Sequence, residues 1–456
     1  MTEMAATPSL RPASANMPWR WSLFLVAIFV FANSLSPSRS GKAPDLDEVM
    51  QTVEKGSALR EAALLFLLLF ALFTFMSKKH WRLRVNGLLG WSMLFYISLA
   101  LASPVWAEDP SYPSLTVRRS GVLLLLFLGA LATVARFSRI QAVALAVCVC
   151  SLTLVISLVV EISIGNFHPL DGTWRFSGMI HPVIQGWNCG LLAIASLALS
   201  AASPRSRGRL IFLALTAFLF LSLTRSRTPL VTTILATVVL GCLMSIRMRK
   251  LIFILTYALA VCAGCVWLAL LVLGANLDRT ALNVAAMGRG HDTESSLSTF
   301  TGRQELWDQE LSYARTRPVL GFGYNAFLNA SNLPAVSSAA GWAPTSAHSG
   351  YIGTLVGLGY VGVSSLVIVL VLALKRSLSQ ARGSPSAAFA AAVMIWLCCN
   401  LFFESAIIME PTFPTFFCCV ILGSLAFGDS SAHRRFCQLP SPRQFSYAET
   451  SPGCRE

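Results

Sequence analysis

The sequence predicts an all-α, polytopic membrane protein, and three observations carry that prediction. Of its 456 residues 55% are hydrophobic and only 12% are charged, a balance too apolar for a soluble globular chain. The apolar residues fall in runs long enough to cross about 30 Å of hydrocarbon. Lys and Arg, finally, concentrate in alternate loops, as membrane topology demands.

In chain order, residues 1–18 are rich in Ser, Ala and Pro with a single basic residue, Arg11, and are expected to form a disordered cytoplasmic tail. The run Trp19–Leu35 lacks a small-residue cleavage site and is read as a retained first helix. Further spans are expected near Ala58–Met76, Asn86–Ala102, Ser120–Ala135, Gln141–Ser163, Val183–Ala201, Leu210–Thr224, Pro229–Ser245, Leu251–Gly274, Gly350–Leu374, Pro385–Phe403 and Pro411–Gly428, making about twelve. They divide the chain into a nine-helix bundle over 19–274, a loop domain over 275–349, a three-helix bundle over 350–428 and a second tail over 429–456. Basic clusters such as Lys78, Lys79, Arg82 and Arg84, or Arg205, Arg207 and Arg209, all fall on one side of this arrangement. That side is cytoplasmic, both termini with it, and the long loop between the ninth and tenth spans faces outward.

The formal charge of +14 therefore reports topology, and no basic patch with interleaved aromatics points to nucleic acid. Ten of the 12 cysteines lie in hydrophobic runs and two, Cys437 and Cys454, in the tail; the Cys262/Cys265 pair has CxxC spacing inside an apolar helix, where packing explains it. No metal or cofactor motif occurs: HExxH, GxSxG and Walker patterns are all missing. Glu161, Arg225, Glu404 and Glu410 sit at the outward ends of helices and not at mid-membrane, which disfavours an ion-coupled transporter. Gly350, Gly353 and Gly357 lie close to one face of the tenth span and permit tight helix contact.

Chemistry gathers on the outward side. Thr301, Gly302, Arg303 and Gln304 read as a capping box, with Leu306, Trp307, Leu311 and Ala314 following at helical spacing until Arg317-Pro318. A cation in the first turn opposes the helix dipole, whereas a phosphate bound there suits both Arg303 and the free N–H groups. Thr224-Arg225-Ser226-Arg227-Thr228-Pro229 forms a short outward turn in which two arginines break the charge rule. With Arg175 and Arg303 from neighbouring outward loops they make a cradle for pyrophosphate oxygens; snorkelling to headgroups accounts for one of the pair. His348, at the start of the tenth span, is the best-placed general base, and His181 is its rival; His168 and His291 have no supporting context.

The order and spacing of Ser226-Arg227, Thr301-Gly302-Arg303 with Trp307, the segment Arg317-Pro318-Val319-Leu320-Gly321-Phe322-Gly323-Tyr324, and Ala347-His348 leading into Gly359-Tyr360-Val361-Gly362 resemble the O-antigen ligase and polymerase superfamily. The strong matches cover about Trp174 to Gly362. The resemblance implies a GT-C-like membrane glycosyltransferase of the bacterial inner membrane, its large periplasmic loop lying between helices nine and ten. It would be metal-independent, transferring an undecaprenyl-pyrophosphate-linked oligosaccharide to a sugar hydroxyl of a glycan or lipid A core acceptor. Arg227, Arg303 and His348 match the family's motifs, and Arg175 matches more loosely. The resemblance makes the arginines pyrophosphate ligands and His348 the base. Ser349 stands where the family usually has Asn, and Val183 follows Pro182 where Asn is common. Gly321–Phe327 is nearer the exopolysaccharide polymerase branch than the ligases. A transporter or flippase of lipid-linked sugars is the competing expectation.

Overall fold

The computed structural model describes residues 19–33, 58–77, 83–107, 112–169, 174–244, 250 and 303–428. The expected span Leu251–Gly274 with its CxxC pair, residues 275–302 including Thr301, Gly302 and His291, both tails and the 78–82 basic cluster lie outside the described residues. Among those described the chain is helical: α1 (Trp19–Asn33), α2 (Ala58–Met76), α3 (Gly87–Ala102), α4 (Tyr112–Arg136), α5 (Arg139–Ser163), α6 (Pro182–Ala202), α7 (Arg207–Leu223), α8 (Arg227–Leu243), α9 (Arg303–Thr316), α10 (Leu333–Ala340), α11 (Gly350–Gln380), α12 (Pro385–Phe403) and α13 (Phe413–Phe427). Eight helices are long and apolar enough to cross a membrane, and α1, α8 and α13 are shorter apolar helices. Every expected span within the described residues is present as a helix. In hydrocarbon each backbone polar group must be satisfied within its own segment, which leaves an apolar run no other regular structure.

Helix α6 is the axis of the bundle. Its membrane window is 83% buried, against 22% for α7 at the periphery. A polar layer locks it to α8 and α12: the Trp187 indole donates to Asn400 Oδ1 at 3.1 Å, Asn400 Nδ2 to Thr232 Oγ1 at 2.9 Å, and the Trp396 indole to Thr233 Oγ1 at 3.2 Å. Such side-chain bonds fix register between helices that gain little from hydrophobic exclusion in lipid. Gly190 makes the close approach possible, because a Cβ there would lie 2.3 Å from Thr233 Oγ1.

The tenth expected span departs from a continuous helix. Within α11, Gly359 adopts φ 64°, ψ −164° and breaks the rod. The backbone of 318–323 repairs the exposed groups: Tyr360 N–H donates to Pro318 O at 2.7 Å, Val361 to Val319 O at 3.3 Å, and Phe322 and Gly323 donate to Val356 O and Gly357 O at 3.0 and 2.8 Å. Irregular backbone at this depth persists only when buried and bonded in this way. Gly357 accordingly meets the backbone of this loop, with a built Cβ 3.0 Å from Gly323 O, so the expected helix contact there is a loop contact. Gly350 does face a helix, packing against Leu401 of α12.

Within residues 303–349, α9 lies across the start of α11, over a small apolar core of Leu306, Ala314, Phe322, Phe327, Leu333 and Val336.

Candidate active site

Glu161, at the end of α5, sets the first half of the site. Its carboxylate accepts from the Trp174 indole (3.3 Å), from Ser177 N and Oγ (3.0 and 3.2 Å) and from Gly178 N (2.8 Å), while Phe176 N–H donates to Leu223 O at 2.9 Å. This pins the Trp174–Gly178 segment against the outer end of α7 and turns Arg175 toward the next connection. Arg175 Nε donates to Thr224 O at 3.1 Å and Nη2 to Ser226 Oγ at 3.0 Å. It serves as a brace for the turn, satisfying a carbonyl at a helix C-terminus where a cation is favoured.

In that turn Arg225 occupies the left-handed region at φ 49°, a conformation costly for a residue with a Cβ, and Arg227 is the first residue of α8. Arg227 Nε and Nη2 are shielded from water and have no hydrogen-bond partner. The Thr232–Asn400 bond fixes the height of Arg227. It stands about a turn and a half outward of that bond on α8, and Glu404 about one turn outward of it past α12. The two are thus at the same outer rim of adjacent helices.

Glu404 organises the second half. Arg303, at the start of α9, is an ion pair with it at 2.8 Å from Nη2 to Oε1, and also donates from Nη1 to Phe403 O at 2.8 Å. His348 Nδ1 lies 3.5 Å from the other carboxylate oxygen, Oε2. Burial pushes the Glu404 carboxyl up, but His348 and Arg303 outweigh it and hold the group below the usual carboxylate range. His348 itself is held from three sides. The Trp307 indole donates to Ala347 O at 3.0 Å, Trp342 packs on the imidazole with ring centroids 5.3 Å apart, and Ser349 caps α11 by accepting from Ile352 N. Ser and Asn are comparably strong N-caps, so Ser349 fills the capping role that an Asn at this position would fill. His348 has φ 48°, so it and Arg225 both carry backbone strain at the outer rim. With Nδ1 turned to the carboxylate, Nε2 is the nitrogen left to act on a substrate.

The structure therefore brings Arg303 and His348 together through Glu404, and groups Arg175, Arg225 and Arg227 on one turn at the same rim. His181, the rival base, caps α6 by accepting from Val183 N; His168 is exposed. Sequence reasoning placed Glu404 at an outward helix end but did not pair it. Glu410, placed at an outward helix end in the same way and likewise left without partners, is a half-buried acid whose carboxyl burial pushes up within the electrostatic reach of Arg60, Glu404 and His348. Among the described residues no three His, Cys, Asp or Glu side chains come together as metal ligands would.

Fold and site together define a polytopic membrane protein whose outer rim presents arginines beside a carboxylate-held histidine. Residues 212–367, the stretch containing Arg225, Arg227, Arg303 and His348, match the family model described as O-antigen ligase. The chain is also 30% identical over 257 residues to the "Exopolysaccharide production protein ExoQ" of Rhizobium meliloti (strain 1021), an alignment covering 51% of this chain and 54% of the relative. The chain thus spans about half the length of that curated relative. These two similarities support its resemblance to the O-antigen ligase and polymerase superfamily.

Proposed function

We propose that this protein is a glycosyltransferase of surface polysaccharide assembly, acting at the periplasmic face of the bacterial inner membrane on a glycan carried by undecaprenyl pyrophosphate. The observation that carries the reading is the shared use of Glu404 by Arg303 and His348. One carboxylate holds a phosphate-binding side chain and a base in fixed relation, as a transfer from a phosphorylated donor requires. In this reading His348 Nε2 takes the proton of the acceptor hydroxyl. The freed oxygen attacks the anomeric carbon of the donor, the bond from that carbon to the pyrophosphate oxygen breaks, and undecaprenyl pyrophosphate leaves with its negative charge held by Arg303 and Arg227. The water-shielded, unpartnered nitrogens of Arg227 support this role, since unmet donors are costly until an anion reaches them. No step calls for a metal. A polymerase is favoured over a lipopolysaccharide ligase, because the curated relative is named for exopolysaccharide production.

The test is reconstitution of purified protein with lipid-linked glycan. Arg227→Ala, Arg303→Ala and His348→Ala should each abolish formation of new glycosidic bonds while the protein still inserts and accumulates. Retained bond formation in all three variants, or flipping of donor between leaflets without bond formation by the native protein, would overturn the proposal.

A further inference from the structure

We infer that a groove on the lipid-facing surface between α3 and α11 seats a second polyprenyl diphosphate-linked glycan, the acceptor, with Arg317 at its outward mouth taking the diphosphate. The inference rests on the glycan-transfer reading above. The groove is walled by Leu88, Trp91 and Phe95 of α3 and by Tyr360, Ser364 and Ile368 of α11. Trp91, Phe95 and Tyr360 are 64%, 54% and 59% exposed, so large aromatic faces line a slot that no described part of the chain fills.

The break at Gly359 places a cation at the groove's end. Because Pro318 O accepts from Tyr360 N at 2.7 Å, the preceding residue, Arg317, is delivered beside the first groove residue of α11. Its guanidinium is steadied there, with Nη1 donating to Trp106 O at 3.4 Å and its carbon 5.3 Å from the centre of the Phe322 ring. An apolar slot ending in an arginine complements a lipid whose first polar group is a phosphate or diphosphate.

The distance to the reacting centre selects between such lipids. Arg303 and Arg317 stand at opposite ends of α9, a helix of 14 residues, which separates them by about 20 Å at 1.5 Å per residue. An acceptor anchored at Arg317 must therefore reach back to His348 over a gap that an oligosaccharide bridges and a phospholipid headgroup does not.

Full-length protein in nanodiscs of phosphatidylethanolamine and phosphatidylglycerol, irradiated with a benzophenone-bearing polyprenyl diphosphate, tests this. The expected result is crosslinking to the peptides carrying 88–95 and 360–368, competed by unlabelled polyprenyl diphosphate and not by added phosphatidylglycerol. Ser364→Trp, a change at an exposed position that fills the slot, should remove the groove crosslink. Arg317→Ala should weaken competition about ten-fold, the size of one lost charge-assisted pair, with Arg317→Lys retaining part of it. Labelling displaced equally by phosphatidylglycerol, or unchanged in Ser364→Trp, would mean annular lipid only and would overturn the inference. Crosslinking confined to the Arg303 side would overturn it while leaving the glycan-transfer reading intact; no labelling and no turnover would sink both.

Discussion

Glu404 divides its carboxylate between two partners, giving Oε1 to Arg303 at 2.8 Å and Oε2 to His348 at 3.5 Å. Neither partner is near it in sequence, so the three meet only because α9, α11 and α12 share an outer rim. Removing the charge while keeping the shape separates this role from packing. Glu404→Gln is expected to insert and accumulate normally but to lose about 10²-fold or more in glycan transfer, the scale of a general base left unoriented. Single-turnover assays on reconstituted protein check this, and unchanged turnover would show that His348 needs no carboxylate.

The same carboxylate predicts a response to acid. Its folded-state pKa is depressed by His348 and Arg303 against the opposing effect of burial. The stability it contributes is therefore present above the ordinary carboxylate pKa and is lost only as pH falls through the lower folded value. Thermal-unfolding midpoints of the protein in nanodiscs should fall on acidification below the ordinary carboxylate range, and this loss should shrink in Glu404→Gln. A variant that keeps the full native acid sensitivity would assign the effect to other groups.

Much of this architecture was legible in the chain because lipid imposes simple rules. The ends of α2 and α12 fall at the residues where apolar composition stops. Helix α4 begins at Tyr112, well before the expected Ser120, because Arg118 and Arg119 end the hydrophobic run without ending the helix. What composition could not reveal was the break in α11. Its apolar pattern is continuous through Gly359, and the groups that compensate the break belong to 318–323, a segment far upstream. Glu404 escaped for a related reason, since a carboxylate at a helix end acquires meaning only from partners on other elements. The arginine turn was readable from its violation of the charge rule, yet the bracing role of Arg175 depends on Glu161 fixing the segment around it.

That brace yields a prediction of its own. Arg175 bonds Thr224 O and Ser226 Oγ, so Arg175→Ala should act through the position of Arg227. Transfer should fall by about ten-fold, the cost of a displaced and not a deleted ligand, and less than in Arg227→Ala. Donor titrations on both variants check the order; a larger loss in Arg175→Ala would make it a direct ligand.

The repaired helix break can be tested with paired glycines. At Gly359 a Cβ would lie 2.2 Å from Val319 O, and φ is +64°. At Gly341, φ is +74° but nothing lies within 4 Å of the added atom. Gly341→Ala should cost only the left-handed backbone term, about 1 kcal/mol, whereas Gly359→Ala must also push apart the 318–323 backbone and should prevent accumulation of folded protein. Fluorescence-detected size exclusion of the two variants reads the difference, and equal yields would mean that the 318–323 segment is loosely attached.

Glu310, on α9, offers the last test. It is 1% exposed on the buried side of α9 with Oε2 unpartnered, and burial pushes its carboxyl up from 4.5 to about 8. Below the ordinary pKa the group is neutral whether folded or unfolded and costs nothing through ionisation. As pH rises from about 4.5 toward 8 the unfolded form ionises and the folded form does not, so stability declines across that window. Glu310→Gln keeps the shape and cannot ionise. It should therefore be more stable than the native protein at pH 7.5, by on the order of a few kcal/mol, and by much less at pH 4.5, with the unfolding midpoint rising accordingly. Because α9 carries Arg303 at its start, the same variant should also hold transfer activity further into the alkaline range. A midpoint difference that does not depend on pH would show that the Glu310 carboxyl finds a proton-independent partner in the folded protein.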